Sequence, residues 1–293
     1  MRGGQRQVLL LMHGLRDAGH TCELLARKSS PLWAAAQAFS FPVSTATVLA
    51  IATRSRVANV VHAHDAHSHT LAAIASRKPF VVSRRVAFPV KRSMLSRWKY
   101  TRARRYAAVS EFVAAELARA GIQREKIDVI YDGIAISPAV EKLPGPSFTA
   151  VALASADPKK GRHLVERAAE LARVPVVFST DLARDLPGAS VFLYITRSEG
   201  FGSAALLAMN YQTPVIASNI GGLPEVVNDN ECGMLVENDP SIIATAISRL
   251  KNDPALAERL GQNGRLRVEQ KFTQQQMVKG ILACYRRALA TLK

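Results

Sequence analysis

The 293-residue chain has few of the residues that would staple a fold covalently: Cys22, Cys232 and Cys284 stand far apart and form no CxxC pair. That spacing argues against a disulfide framework or a structural zinc and fits a reducing compartment. Long hydrophobic runs are also missing. The stretch from Ser29 to Thr53 carries no charge, but Pro42 and its Ser, Thr and Gln content break it into pieces too short to span a bilayer. No apolar core precedes a small-residue cleavage site near the amino terminus, so the expected location is cytoplasmic. Acidic residues are scarce, with 23 Asp and Glu against 39 Lys and Arg, a net charge of +16. No nucleic-acid reader motif accompanies the excess, which excludes nucleic acid as the expected partner.

What is present is ample core material, 48% hydrophobic residues, in a length that suits two α/β domains. The charge is uneven: residues 1–145 hold 22 basic and 9 acidic side chains, the remainder 17 and 14. The amino-terminal half should therefore favour an anionic partner, either a phosphorylated substrate or an acidic membrane surface. Three prolines and a glycine between Ser137 and Ser147 read as a linker, giving domains 1–145 and 146–293.

Val8–Ala18 reads as a helix closed by Gly19, with Cys22–Ala26 as the first candidate strand. A parallel-sheet domain ordinarily opens with a strand ahead of its first helix. The expectation is that this strand is missing, so that the domain lacks an edge or an upstream segment encodes it. Short helices are read over Leu32–Phe39 and Thr45–Thr53, and a strand over Asn59–His62. The strand feeds His62-Ala63-His64-Asp65-Ala66-His67-Ser68-His69. Those histidines could gather a metal, bind a hydroxyl or phosphate, or sit at a helix start capped by Asp65 or Ser68. After the strand Phe80–Ser83 come Arg84 and Arg85, then Lys91, Arg92, Arg97, Lys99, Arg102, Arg104 and Arg105, interleaved with Phe88, Trp98 and Tyr100. This run is a solvated face or a surface for anionic lipid, with Trp98 and Tyr100 at the interface.

Further strands are read over Tyr106–Val109, Ile127–Ile130, Phe148–Leu153 and Val174–Ser179. The loop Ala154–Gly161 places Lys159, Lys160 and Gly161 before a helix. Two buried strands, read over Val191–Ile195 and Pro214–Ala217, each lead into a glycine loop and a helix across the stretch Arg197–Glu225. One loop carries Ser198, Glu199, Gly200, Phe201 and Gly202; the second runs from Ser218 to Pro224. In a parallel sheet such loops lie beyond the carboxyl ends of the strands, where ligands bind. Glycines before helices offer backbone N–H groups to a phosphate or a sugar hydroxyl, although such loops also serve purely structural roles.

The pieces GGQRQVLLL, VVHAHD, AVSEFV, KIDVIYDGI, DPKKG, SEGFGSAALLAM, TPVIASNIGGLPEVV and GMLVENDP, in this order, resemble glycosyltransferase family four. The resemblance implies the GT-B fold, two Rossmann-like domains facing across a cleft. The first would bind the acceptor; the second, with a final helix crossing back, would bind a nucleotide-sugar. It further implies retaining transfer to an acceptor in cell-envelope glycan or lipopolysaccharide synthesis, without a metal; the basic amino-terminal half suits a saccharide that is phosphorylated or lipid-linked and contact with the inner face of the membrane. Glu199, Lys160 and His64 are the implied catalytic residues. Gly200, Phe201, Gly202, Asn219, Gly221, Gly222, Leu223, Glu225 and Gly4 are the implied donor contacts, and Asp65, Arg84 and Arg85 lie on the acceptor side. Two positions depart from the family pattern. Leu207 stands where a second glutamate is usual, and Ser155 where an arginine is usual. A nucleotide-sugar-binding, membrane-peripheral scaffold without turnover is the alternative these departures leave open.

Overall fold

The computed structural model describes Met1 and residues 3–90, 93–138 and 148–290. They form two compact units, Met1–Gly133 with Gln274–Lys293, and Ile134–Thr273. The division therefore falls after Gly133 rather than near residue 145, and most of the linker read over 137–147 lies outside the described residues. The physical reason is that the chain is already held by the second unit at Ile134, whose N–H donates to the Phe272 carbonyl at 2.9 Å. Arg265 then clamps the Ser137 carbonyl at 2.8 Å.

In chain order the first unit comprises α1 (Gly3–Asp17), β1 (Leu24–Ala26), α2 (Pro31–Ala38), β2 (Val43–Thr45), α3 (Val48–Arg54), β3 (Val61–Ala63), α4 (Ala66–Ala75), β4 (Phe80–Arg84), α5 (Met94–Arg102), β5 (Arg105–Ala108), α6 (Glu111–Arg119) and β6 (Ile127–Val129). β3, β4, β5 and β6 form a parallel sheet in that order, and β1 and β2 a separate parallel pair. β4 is buried at every residue, as a strand covered on both faces requires. α1 buries Val8, Leu9, Leu11, Met12 and Leu15, the spacing of one helical face.

Three local readings are corrected here. The helix read from Val8 begins earlier, with Gly3 and Gly4 opening α1; the first turn's N–H groups have no intrahelical partner in any case, so glycine is tolerated there. The helix read from Thr45 begins as β2, and α3 starts only after Thr47, whose hydroxyl accepts from the Ala50 N–H at 3.1 Å. α5, not drawn from the sequence, buries none of its residues fully, so no inward apolar stripe announced it.

The second unit comprises β7 (Ala150–Leu153), α7 (Arg162–Ala172), β8 (Val176–Ser179), α8 (Leu182–Asp185), β9 (Val191–Tyr194), α9 (Ser203–Asn210), β10 (Val215–Ser218), α10 (Leu223–Val226), β11 (Met234–Val236), α11 (Pro240–Asn252) and α12 (Pro254–Lys271). Its sheet is parallel throughout with strand order β11-β10-β9-β7-β8. From β7 the chain moves first to β8 on one side and then to β9 on the other. The carboxyl end of β7 is thus the topological switch point, where open α/β sheets leave a crevice. The core beneath it includes Val191, Leu193, Ile216, Ile243 and Ile247.

The last helix, α13 (Gln274–Ala290), returns to the first unit. Its Met277, Val278, Ile281, Cys284 and Ala288 share a core with Leu11, Leu15, Val81 and Ala107.

Candidate donor site

Three loops meet beyond the carboxyl ends of β7, β9 and β10. After β7, Asp157 starts a short 3-10 turn, Pro158–Lys160, by accepting the Lys159 N–H at 3.0 Å. The Lys159 carbonyl then accepts the Arg197 N–H at 2.7 Å and the Thr196 hydroxyl at 3.0 Å, tying the first loop to the second. The Ser218 hydroxyl accepts the Thr196 N–H at 2.9 Å and donates to the Asn238 side-chain oxygen at 2.6 Å. Asn238 in turn donates to the Thr196 carbonyl at 2.9 Å.

On this base stands an ion pair that spans the switch point. Lys160 Nζ lies 2.9 Å from Glu199 Oε2, with the two side chains 27% and 17% exposed. The Tyr194 hydroxyl donates to the same oxygen at 2.5 Å, and the Gly200 N–H donates to Oε1 at 3.1 Å. Burial, reinforced by the Glu199 charge and hydrogen bond, pushes the Tyr194 phenol well above its ordinary range, so it stays a donor.

The second and third loops are in backbone contact. At Gly221, φ is +56° and an added Cβ would lie 2.0 Å from the Glu199 carbonyl oxygen; at Gly222 it would lie 2.2 Å from the Gly200 carbonyl oxygen. The Gly222 N–H donates to the Glu199 carbonyl at 3.2 Å. These glycines allow close approach, and the Gly222 N–H expected to meet a diphosphate is already occupied. Phe201 is 2% exposed and packs edge-on against Phe272, anchoring the loop. Gly202 precedes α9, while Leu223 is fully buried at the start of α10. Asn219 is exposed; Glu225 is half-buried, and its carbonyl accepts from Arg267 at 2.8 Å.

Ser155 accepts the Asp157 N–H at 3.2 Å within its own turn. Leu207 lies half-buried on α9. Gly4 is exposed in the first unit, in α1.

The first unit gathers a separate cluster at the ends of β3, β4 and β6. His62 bonds through Nδ1 to the Tyr285 hydroxyl at 2.7 Å and through Nε2 to the Ser83 hydroxyl at 2.8 Å. His64 lies tilted against it at 3.9 Å between centroids, and Arg85 reaches His64 Nδ1 at 3.2 Å and Asp132 at 2.9 Å. Burial and the Arg85 charge lower the His62 imidazole to about 3. Burial, then His62 and Arg85, lower His64 as well. Both rings are neutral near pH 7. Asp65 is spent as the cap of α4, accepting the Ser68 N–H at 2.7 Å in a reciprocal capping box. Arg84 is buried rather than displayed, holding the Tyr100 hydroxyl at 3.0 Å and the Phe88 carbonyl. Tyr194, Asn238, Asp132 and Tyr285 were not singled out from the sequence. The signals at hand were a polar-tipped residue closing an apolar strand, as in VFLY, and the pieces KIDVIYDGI and GMLVENDP, which contain Asp132 and Asn238.

Among the described residues, no group of three or more His, Cys, Asp or Glu side chains is gathered as for a metal. Nor is any helix there long and apolar enough to cross a membrane.

Two parallel α/β units of this kind define the GT-B class. Anabaena HepE in complex with UDP and glucose superposes with a TM-score of 0.81 at 17% identity, over 96% of this chain and 95% of that one. The apo form of the lipopolysaccharide outer core galactosyltransferase WaaB gives 0.73 at 13% identity, over 97% and 95%. Residues 1–137 match the Glycosyltransferase Family 4 model, and residues 177–267 match that of Glycosyl transferases group 1. The chain belongs to this glycosyltransferase family. The capsular polysaccharide biosynthesis glycosyltransferase CapM of Staphylococcus aureus is 42% identical over 87 residues, 29% of this chain and 23% of that protein. The chain spans about a quarter of the length of the curated relatives it matches.

Proposed function

We propose that the protein transfers a sugar from a nucleotide-sugar to a saccharide or lipid-linked acceptor, with retention of anomeric configuration, in cell-envelope glycan synthesis at the inner membrane face. The observation that carries this reading is the Lys160–Glu199 pair at the switch point of the second unit. UDP and glucose bound to HepE, and the capsular and lipopolysaccharide relatives, support the substrate classes.

In this mechanism Lys160 exchanges Glu199 for an oxygen of the donor diphosphate, and Glu199 is released to accept hydrogen bonds from the sugar hydroxyls. The amino terminus of α9 adds partial positive charge toward the leaving group. As the anomeric C–O bond to phosphate breaks, the acceptor oxygen bonds to the same face of that carbon. The acceptor's proton passes to the departing phosphate oxygen, so no protein base is consumed. Glu199 positions the sugar and Tyr194 positions Glu199. His64 and Arg85 serve the acceptor side, with His64 as a neutral hydrogen-bonding partner. Charge neutralisation by Lys160 and helix N–H groups makes a divalent metal unnecessary, so transfer should survive EDTA.

The test is incubation with a panel of nucleotide-sugars and a saccharide or lipid-linked acceptor, scored for nucleotide release and anomeric product. A second reading, nucleotide-sugar binding without turnover, is favoured by the apolar Leu207 and by Ser155, whose hydroxyl is used within its own turn. Calorimetric donor binding with no release from any donor would decide for it.

A further inference from the structure

The first unit presents a helix turned inside out. α5 directs Lys99 and Tyr100 toward the protein body, while Met94, Leu95 and Trp98 are 89%, 64% and 40% exposed. The inward positions are fixed from beneath: Lys99 Nζ meets the Thr70 hydroxyl at 3.3 Å, the Tyr100 hydroxyl accepts from Arg84 at 3.0 Å, and the Tyr100 ring stacks on Tyr106 at 5.6 Å. Val86 and Phe88 in the preceding loop are exposed too, so five large apolar side chains lie on the surface within thirteen residues. Isolated exposed apolar residues need no explanation, but a cluster of this kind marks a docking face.

The charge around it selects the occupant. Between Asp65 and Glu111 the sequence has no acidic residue and eleven basic ones. The Arg102 guanidinium lies 5.8 Å from the Trp98 ring centroid, linking the apolar stripe to an open depression of about 650 Å³ at the amino-terminal ends of β4 and β5. Arg77, Lys78, Arg102, Arg104 and Lys126 line it, and all five are exposed. Among the described residues none of the five has a carboxylate within ion-pair distance. Glu125 is the one acid on the rim; on the floor, Arg105 is neutralised by Asp128 at 2.6 Å.

We propose that this face docks the protein on an anionic lipid surface. Met94, Leu95, Trp98 and Phe88 enter the headgroup–acyl boundary, and Arg97, Arg102, Arg104, Arg77 and Lys78 hold lipid phosphates. Exposed apolar side chains beside unpaired cations are what an interfacial helix needs, since neither term alone anchors stably. The proposal deepens the membrane-facing part of the proposed function and assigns a different task to Tyr100, which supports the helix from below.

The test is co-sedimentation of the full chain with vesicles of phosphatidylcholine alone or with about 30% phosphatidylglycerol, a composition in the anionic range of cytoplasmic leaflets. On a Trp33→Phe background, where Trp98 is the sole tryptophan, quenching by bromine-labelled lipid reads insertion. The expected result is at least tenfold stronger binding to anionic vesicles, lost near 0.5 M salt, with Trp98 quenched. Arg97→Glu with Arg102→Glu should lower partitioning by tenfold or more, at about fivefold per basic residue lost. Met94→Ser with Leu95→Ser should weaken it by a similar factor; both pairs lie on the surface, and thermal melts confirm that the variants fold. Equal binding to neutral vesicles, no binding, or bound protein with unquenched Trp98 overturns the proposal. So does a concentration-dependent dimer that Leu95→Ser dissolves, which would assign the face to a second copy. Nucleotide release is scored separately, so a chain without turnover can still dock, and an active one can fail to.

Discussion

The two units solve the same problem, charged groups at the ends of a parallel sheet, in opposite ways. In the first, Arg85, Asp132, His62, His64 and Tyr285 close on one another, and the Arg85 and Asp132 side chains are only 14% and 6% exposed. In the second, Lys160 and Glu199 form a single more exposed pair over a floor of backbone hydrogen bonds. A closed network fixes geometry and resists a change of partners, because removing one member strands a buried charge. A pair with one side still open to solvent exchanges partners at lower cost. The first arrangement suits a preset wall and the second a contact remade on each binding event.

The contrast breaks most strongly with pH. His62 and His64 are depressed in the folded state, so below about pH 6.5 the unfolded chain binds protons that the folded chain refuses. Their contribution to stability is complete above that pH and lost as pH falls toward about 3 for His62. The slope is up to ~1.4 kcal/mol per pH unit for each histidine. Urea titrations between pH 7 and 5 should show the loss, and His62→Gln with His64→Gln should flatten it; an unchanged slope would refute the assignment.

Asp132→Ala comes next, with an expected cost of about 3–5 kcal/mol from stranding Arg85. A cost below 1 kcal/mol, as for a surface pair, would erase the distinction between the units. Gly221→Ala should cost about 3 kcal/mol by forcing apart two backbones that leave no room for a Cβ, measured as a shift in urea midpoint. Glu199→Ala should slow nucleotide release at least tenfold while changing stability by less than ~1 kcal/mol. Tyr194→Phe should have the smallest effect, about 1 kcal/mol, and raise KM more than it lowers kcat if the phenol only steadies Glu199. Equal losses in kcat and kcat/KM would instead place Tyr194 in the transition state.

Much of this architecture was legible beforehand because buried parallel strands announce themselves as short apolar runs. Val191–Tyr194 and Val215–Ser218 are fully buried, and the reading placed each to within a residue. α5 escaped because its apolar residues face outward and give no inward period. The pairing of Lys160 with Glu199 could not be read either: their separation of 39 residues becomes 2.9 Å only through the strand order that sets β7 beside β9. The glycines were visible as a loop motif, but nothing in GGLPE shows that the Gly222 N–H is taken by the Glu199 carbonyl.

α13 has a consequence for the order of events during synthesis. The first unit needs Met277, Val278, Ile281 and Tyr285, yet the ribosome makes them only after the whole of Ile134–Thr273. At ordinary elongation rates that interval lasts roughly 10–30 s. The nascent first unit must wait through it with part of its core open, while the contiguous second unit has all its strands and can close first. A chain stalled or cleaved before residue 274 would release a finished second unit attached to an unfinished first one, a species that chaperones and proteases would meet before any substrate did.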